Sequence, residues 1–75
     1  MEPSEQYLMD YLAEEFREHP RVRIRSMLED NERGISVKTE SRTYFFPYEW
    51  TAKGQFKKVQ DLVRIIKEVH PSSLL

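Results

Sequence analysis

Residues 21–28 read "RVRIRSML", and the period of that stretch decides the fold. Successive side chains of an extended chain point to opposite faces. Val22, Ile24, Ser26 and Leu28 therefore fall on one side, and Arg21, Arg23, Arg25 and Met27 on the other. The expectation is a half-buried strand with guanidinium groups along its wet side.

The same alternation resumes downstream. "EDNERG" (29–34) reads as a polar loop in which Gly34 is free to take a positive φ. "ISVKTE" (35–40) sends Ile35, Val37 and Thr39 inward and Ser36, Lys38 and Glu40 outward. "TYFF" (43–46) has the β-branched and aromatic content of a third strand. Pro47 lacks an N–H for the ladder, so that strand ends there or lies at an edge.

Five of the nine aromatic residues fall between Tyr44 and Trp50, and loop parity decides where they point. An even-numbered loop between strands two and three pairs Val37 with Tyr44 or Phe46. It turns both rings into the core and leaves Phe45 outside. An odd loop would reverse all three. The even loop is favoured, because two- and four-residue connections are the commoner hairpins and more aromatic area is buried. Trp50 is expected beneath the start of the last helix, and Tyr48 partly exposed.

Outside this block the period returns to that of a helix. In "PSEQYLMDYLAEEFREHP" (3–20), Leu8, Leu12 and Phe16 recur every four residues, with Tyr11 beside them. Ser4 suits the N-cap, Glu5 the positive end of the helix dipole, and Pro20 the stop. In "TAKGQFKKVQDLVRIIKEVHP" (51–71), Phe56, Val59, Leu62, Val63, Ile66 and Val69 form a wide apolar face. Gly54 weakens the first turn of this helix, Pro71 ends it, and residues 71–75 read as a loose tail. The element order is α-β-β-β-α in one domain over residues 1–75. The economical packing is an α+β two-layer sandwich, a three-stranded antiparallel sheet with both helices on one face. The other face is left open.

Composition narrows the function. With no cysteine the chain has no disulfide, thiolate metal site or cysteine nucleophile. No apolar run approaches the ~20 residues of a membrane span, and the acidic start is unlike a signal peptide. The default reading is a soluble, cytoplasmic protein. Net charge is −1, so nothing overall draws the chain to a polyanion. Residues 1–19 hold six acidic side chains and one arginine, leaving the remainder mildly basic. That asymmetry is expected to neutralise itself within the fold.

No catalytic constellation stands out. His19 and His70 each precede a proline at a helix end, where an imidazolium suits the dipole. They stand apart from any ligand motif, so no metal is expected. Glu14 and Glu15 diverge by ~100° on a helix. Only Gly34 and Gly54 are glycines, too few for a phosphate-cradling loop, and "EDNERG" lacks calcium-loop spacing. Neither an enzyme nor a cofactor is expected. Arg21, Arg23 and Arg25 should line up ~6.5–7 Å apart, with Lys38 and Phe45 on the same open face. These five residues form the candidate partner-binding surface, for another protein or a second copy, since arginine and aromatics favour interfaces. The same row could follow a single nucleic-acid strand by charge and stacking.

The layout helix, three antiparallel strands, helix resembles that of the double-stranded-RNA-binding domain over most of the chain. In that family lysines opening the last helix contact phosphates. The resemblance thus implies a nucleic-acid role for Lys53, Lys57 and Lys58 in "KGQFKKVQ". It is a likeness of layout: "EDNERG" is acidic where the family has Gly-Pro-X-His. The leading expectation is a small non-enzymatic interaction domain acting through a protein partner or self-association, with nucleic-acid binding as the alternative.

Overall fold

A computed structural model describes residues 3–70, with side chains from Glu5 onward. It is an α+β fold. Its elements are α1 (Pro3–Glu15), β1 (Arg23–Glu29), β2 (Glu32–Lys38), β3 (Thr43–Pro47), α2 (Tyr48–Ala52) and α3 (Phe56–Val69). The sheet is antiparallel in the order β1-β2-β3.

Register settles the aromatic parity. Four residues, Thr39 to Arg42, separate β2 from β3, and Val37 pairs with Tyr44 while Ile35 pairs with Phe46. The Thr39 side chain holds this loop, accepting from the Arg42 N–H at 3.0 Å and donating to the Arg42 carbonyl at 3.1 Å. Ile35, Val37 and Phe46 are fully buried with Leu8, Leu12 and Phe16 of the N-terminal segment and Val59, Val63 and Ile66 of α3. Both long helices thus cover the same sheet face. Phe56 ties them side by side through ring contacts with Tyr7 and Tyr11. Lys67 adds a 2.7 Å bond to Glu15 and lies over the Phe16 ring.

Several expectations are corrected. The polar "loop" 29–34 is a two-residue turn: Glu29 pairs with Glu32, and Asp30 and Asn31 both have positive φ. Asp and Asn tolerate that region because their short side chains bond locally. Gly34 lies inside β2 and is not left-handed. A Cβ there would stand 2.5 Å from Cζ of Phe45 and 2.5 Å from the Phe46 carbonyl oxygen. The glycine is therefore a gap that lets the Phe45 ring lie across the sheet.

The last helix is two helices. Gly54, at φ 71, ends α2. The N–H of Gly54 bonds the Thr51 carbonyl and that of Gln55 the Trp50 carbonyl, the two bonds of a Schellman cap. Trp50 belongs to α2 and meets Phe46 edge-on. Tyr48 is buried at 8% exposure, its hydroxyl 3.0 Å from Ser26 Oγ. α1 begins at Pro3, so Ser4 lies inside the first turn rather than at the cap. Proline suits that first position, since its missing N–H is an orphan there anyway. α1 ends at Glu15 and passes through turns before reaching Pro20.

Val69 and Leu28 are exposed, at 57% and 62%. Leu28 keeps its inward parity but stands next to the hairpin tip. The expected tail, 71–75, and Pro71 with it, lies outside the described residues.

Candidate interaction surface

The face of the sheet away from the helices is built from two registers. Arg23 pairs with Lys38, which pairs with Thr43; Arg25 pairs with Ser36, which pairs with Phe45. Neighbouring strands lie ~4.8 Å apart, so these residues form one compact patch. A shallow depression there is lined by sheet residues alone, among them Arg23, Arg25, Met27, Ser36, Lys38 and Thr43. Three cations sit close together at this end. The opposite end carries Glu29 and Glu32, paired at the hairpin and on the same face by parity. Met27, Gly34 and Pro47 form the row between.

The arginine row is shorter than its spacing suggests. Arg21 precedes β1 and pairs with Glu40, which raises the pKa of its guanidinium through that hydrogen bond. The N–H of Val22 bonds the His19 carbonyl, closing a turn just before the strand. Arg23 donates to the Pro20 carbonyl at 2.9 Å. The side chains of Arg25 and Lys38 make no hydrogen bond or ion pair among the described residues. Phe45 is half-buried over Gly34. Of the five residues singled out, Arg23, Arg25, Lys38 and Phe45 share the open face and Arg21 stands outside it.

The lysines at the start of the last helix do not form a free basic patch. Lys53 contacts Glu49 at 2.6 Å and Lys57 contacts Asp61 at 3.4 Å. The Lys53 ammonium bonds Glu49 and holds its carboxyl below the usual range. Lys58 is near enough to contribute in the same direction.

His19 and His70 were expected to stand apart as helix caps. His70 does cap α3, its N–H bonding the Ile66 carbonyl. Its Nε2 lies 3.0 Å from the Tyr44 hydroxyl. His19 lies beyond the end of α1, its ring edge-on to Phe16 and its Nδ1 buried without a hydrogen-bond partner. Both histidines line one cavity of about 330 Å³ with Val22, Thr39 and Glu40. Among the described residues no group of three or more His, Cys, Asp or Glu is placed to hold a metal ion. No helix there is long and apolar enough to cross a membrane.

One further ion pair was hidden from sequence reasoning. Glu5, in the first turn of α1, is buried and meets Arg33 of β2 at 3.4 Å. No local spacing reports it, because the partners come from different elements. Comparison with known proteins adds nothing to this geometry: no family model, curated protein or solved structure matches the chain.

Proposed function

We propose that the chain is a small non-enzymatic interaction domain whose open sheet face takes a protein partner. One observation carries this: among the described residues Arg25 and Lys38 are unpaired cations on the uncovered face, beside the half-buried Phe45 ring. Cations next to an aromatic ring suit an acidic and partly apolar protein surface. Glu29 and Glu32 at the far end of the face favour a partner of mixed charge. They would repel a continuous polyanion running the length of the strands.

Nucleic-acid binding is the second reading. It rests on the cluster Arg23, Arg25 and Lys38 and on Lys58, since Lys53 and Lys57 are occupied by carboxylates.

The test is affinity capture with wild type and with the double variant Arg25→Glu, Lys38→Glu, each with and without nuclease. Proteins retained by wild type after nuclease treatment and lost with the variant are expected. Retention that is equal for both chains contradicts the reading. Loss on nuclease treatment transfers it to nucleic acid. In that case labelled RNA or DNA should bind with an affinity that falls as salt rises.

A further inference from the structure

The free edge of β1 is a different surface from the open face. The N–H of Thr39 bonds the Arg42 carbonyl, towards β3. Backbone groups of successive strand residues point to alternate sides. Lys38, Ser36 and Gly34 therefore bond towards β1, to Arg23, Arg25 and Met27. Ile24, Ser26 and Leu28 are left with their N–H and C=O groups directed outwards. None of the three makes another backbone hydrogen bond among the described residues.

The two edges of the sheet differ. β3 is five residues long and ends in Pro47, which has no N–H. β1 is seven residues long, with no proline and an uninterrupted register. Unprotected edges of that kind are templates for another strand. The sequence of β1, "RIRSMLE", is complementary to itself when reversed. Turned about Ser26, it sets Arg23 against Glu29, Ile24 against Leu28, and Arg25 against Met27. Among the described residues Leu28 is the most exposed of the large hydrophobic side chains, and Glu29 has no ion pair. This pairing gives each of them a partner.

We infer that β1 pairs antiparallel with β1 of a second copy about a two-fold axis through Ser26. The result is a continuous six-stranded sheet. The pairs Ile24–Leu28, Ser26–Ser26 and Leu28–Ile24 each exchange both backbone bonds. Arg23 and Glu29 close both ends on the open-face side. The open faces of the two copies then lie side by side. This dimer does not depend on the open face having a partner of its own.

Residue-resolved amide exchange, followed with chain concentration alongside sedimentation, tests it. At low concentration the amides of Arg23, Arg25 and Met27 are protected by β2, and those of Ile24, Ser26 and Leu28 exchange freely. Protection of the second set is expected to rise with concentration as the dimer forms. Arg23→Glu should weaken the dimer by about tenfold through two repelled end pairs. Adding Glu29→Arg to it should restore the affinity to within about threefold. Leu28→Lys, which points a charge inward at the edge, should give a folded monomer by circular dichroism.

A monomer at about 1 mM, far above the Kd of a specific dimer, overturns the inference. So does a dimer whose Ile24, Ser26 and Leu28 amides stay unprotected. Protection of those amides in a chain that sediments as a monomer would mean that its own residues cover the edge, and also overturns it. Failure of the charge-swapped pair to restore association rejects the register.

Discussion

Val37 and Lys38 are consecutive residues of one strand, and they belong to different problems. Val37 is fully buried between Ile24 and Tyr44 of the flanking strands, under both long helices. Lys38 stands between Arg23 and Thr43 on the bare side, with no ion pair among the described residues. The inner face is packed from residues of the two long helices, β2 and β3, with Phe16 and Tyr48. The outer face carries a cationic end, a central row of Met27, Gly34 and Pro47, and an acidic end. The difference teaches that stability is concentrated on one side of the sheet. The other side is free to vary in charge without loss of fold.

The comparison breaks most visibly at Phe46. Phe46→Ala should cost about 3–5 kcal/mol, and Ile66→Ala about 2–5 kcal/mol, by emptying core volume. Denaturant titration reads both. A loss under about 1 kcal/mol for Phe46 would place the core elsewhere.

Gly34→Ala probes a place where the outer face is close-packed. The new methyl group meets Phe45 and the Phe46 carbonyl oxygen at 2.5 Å. A loss of about 1–3 kcal/mol is expected from overpacking. Pairing it with Phe45→Ala should remove the ring clash and leave the backbone one.

Arg25→Ala, directly across from Ser36, should change stability by less than about 0.5 kcal/mol, as an unpaired surface side chain does. Unfolding of that variant would invert the assignment of faces.

The smallest effect lies away from both faces, at the exposed pair Glu49 and Lys53 on α2 and its C-cap. The bond from Lys53 lowers the Glu49 pKa from its ordinary 4.5. A carboxyl whose pKa is lowered by folding contributes stability above its ordinary value. That contribution is lost as pH falls below it. Thermal midpoints measured between about pH 5 and about pH 3 should fall slightly less steeply in Lys53→Ala than in wild type.

The two-layer arrangement was legible because period is local. Alternation through Ile24, Ile35 and Val37 placed the strands, and the fourfold recurrence of Leu8, Leu12 and Phe16 placed the first helix. The even loop followed from which rings could be buried. What escaped was decided by distant partners or by short segments. Gly34 looked like a turn residue, but its role depends on a ring from β3. Asp30 and Asn31 form the turn without the glycine that usually marks one. α2 is too short to show a helical period, and its C-terminal cap at Gly54 looked like a weak helix start. Arg21 fell out of the row because the Val22 N–H is committed to a turn before β1 begins. Arg23, Arg25 and Lys38 were nonetheless placed on one face by alternation, and Phe45 joined them through the parity of the loop. The engagement of Arg21 depended on Glu40, which only the fold brings near.

The central claim is that the sheet is covered on one side only, and the absence of native cysteine allows it to be measured directly. Single variants Val37→Cys and Lys38→Cys can each be labelled with a small thiol reagent under native conditions. The account predicts that Lys38→Cys reacts at nearly the rate of the unfolded chain. Val37→Cys should react at least about a thousandfold more slowly, waiting on unfolding. Equal rates at the two neighbouring positions would contradict it.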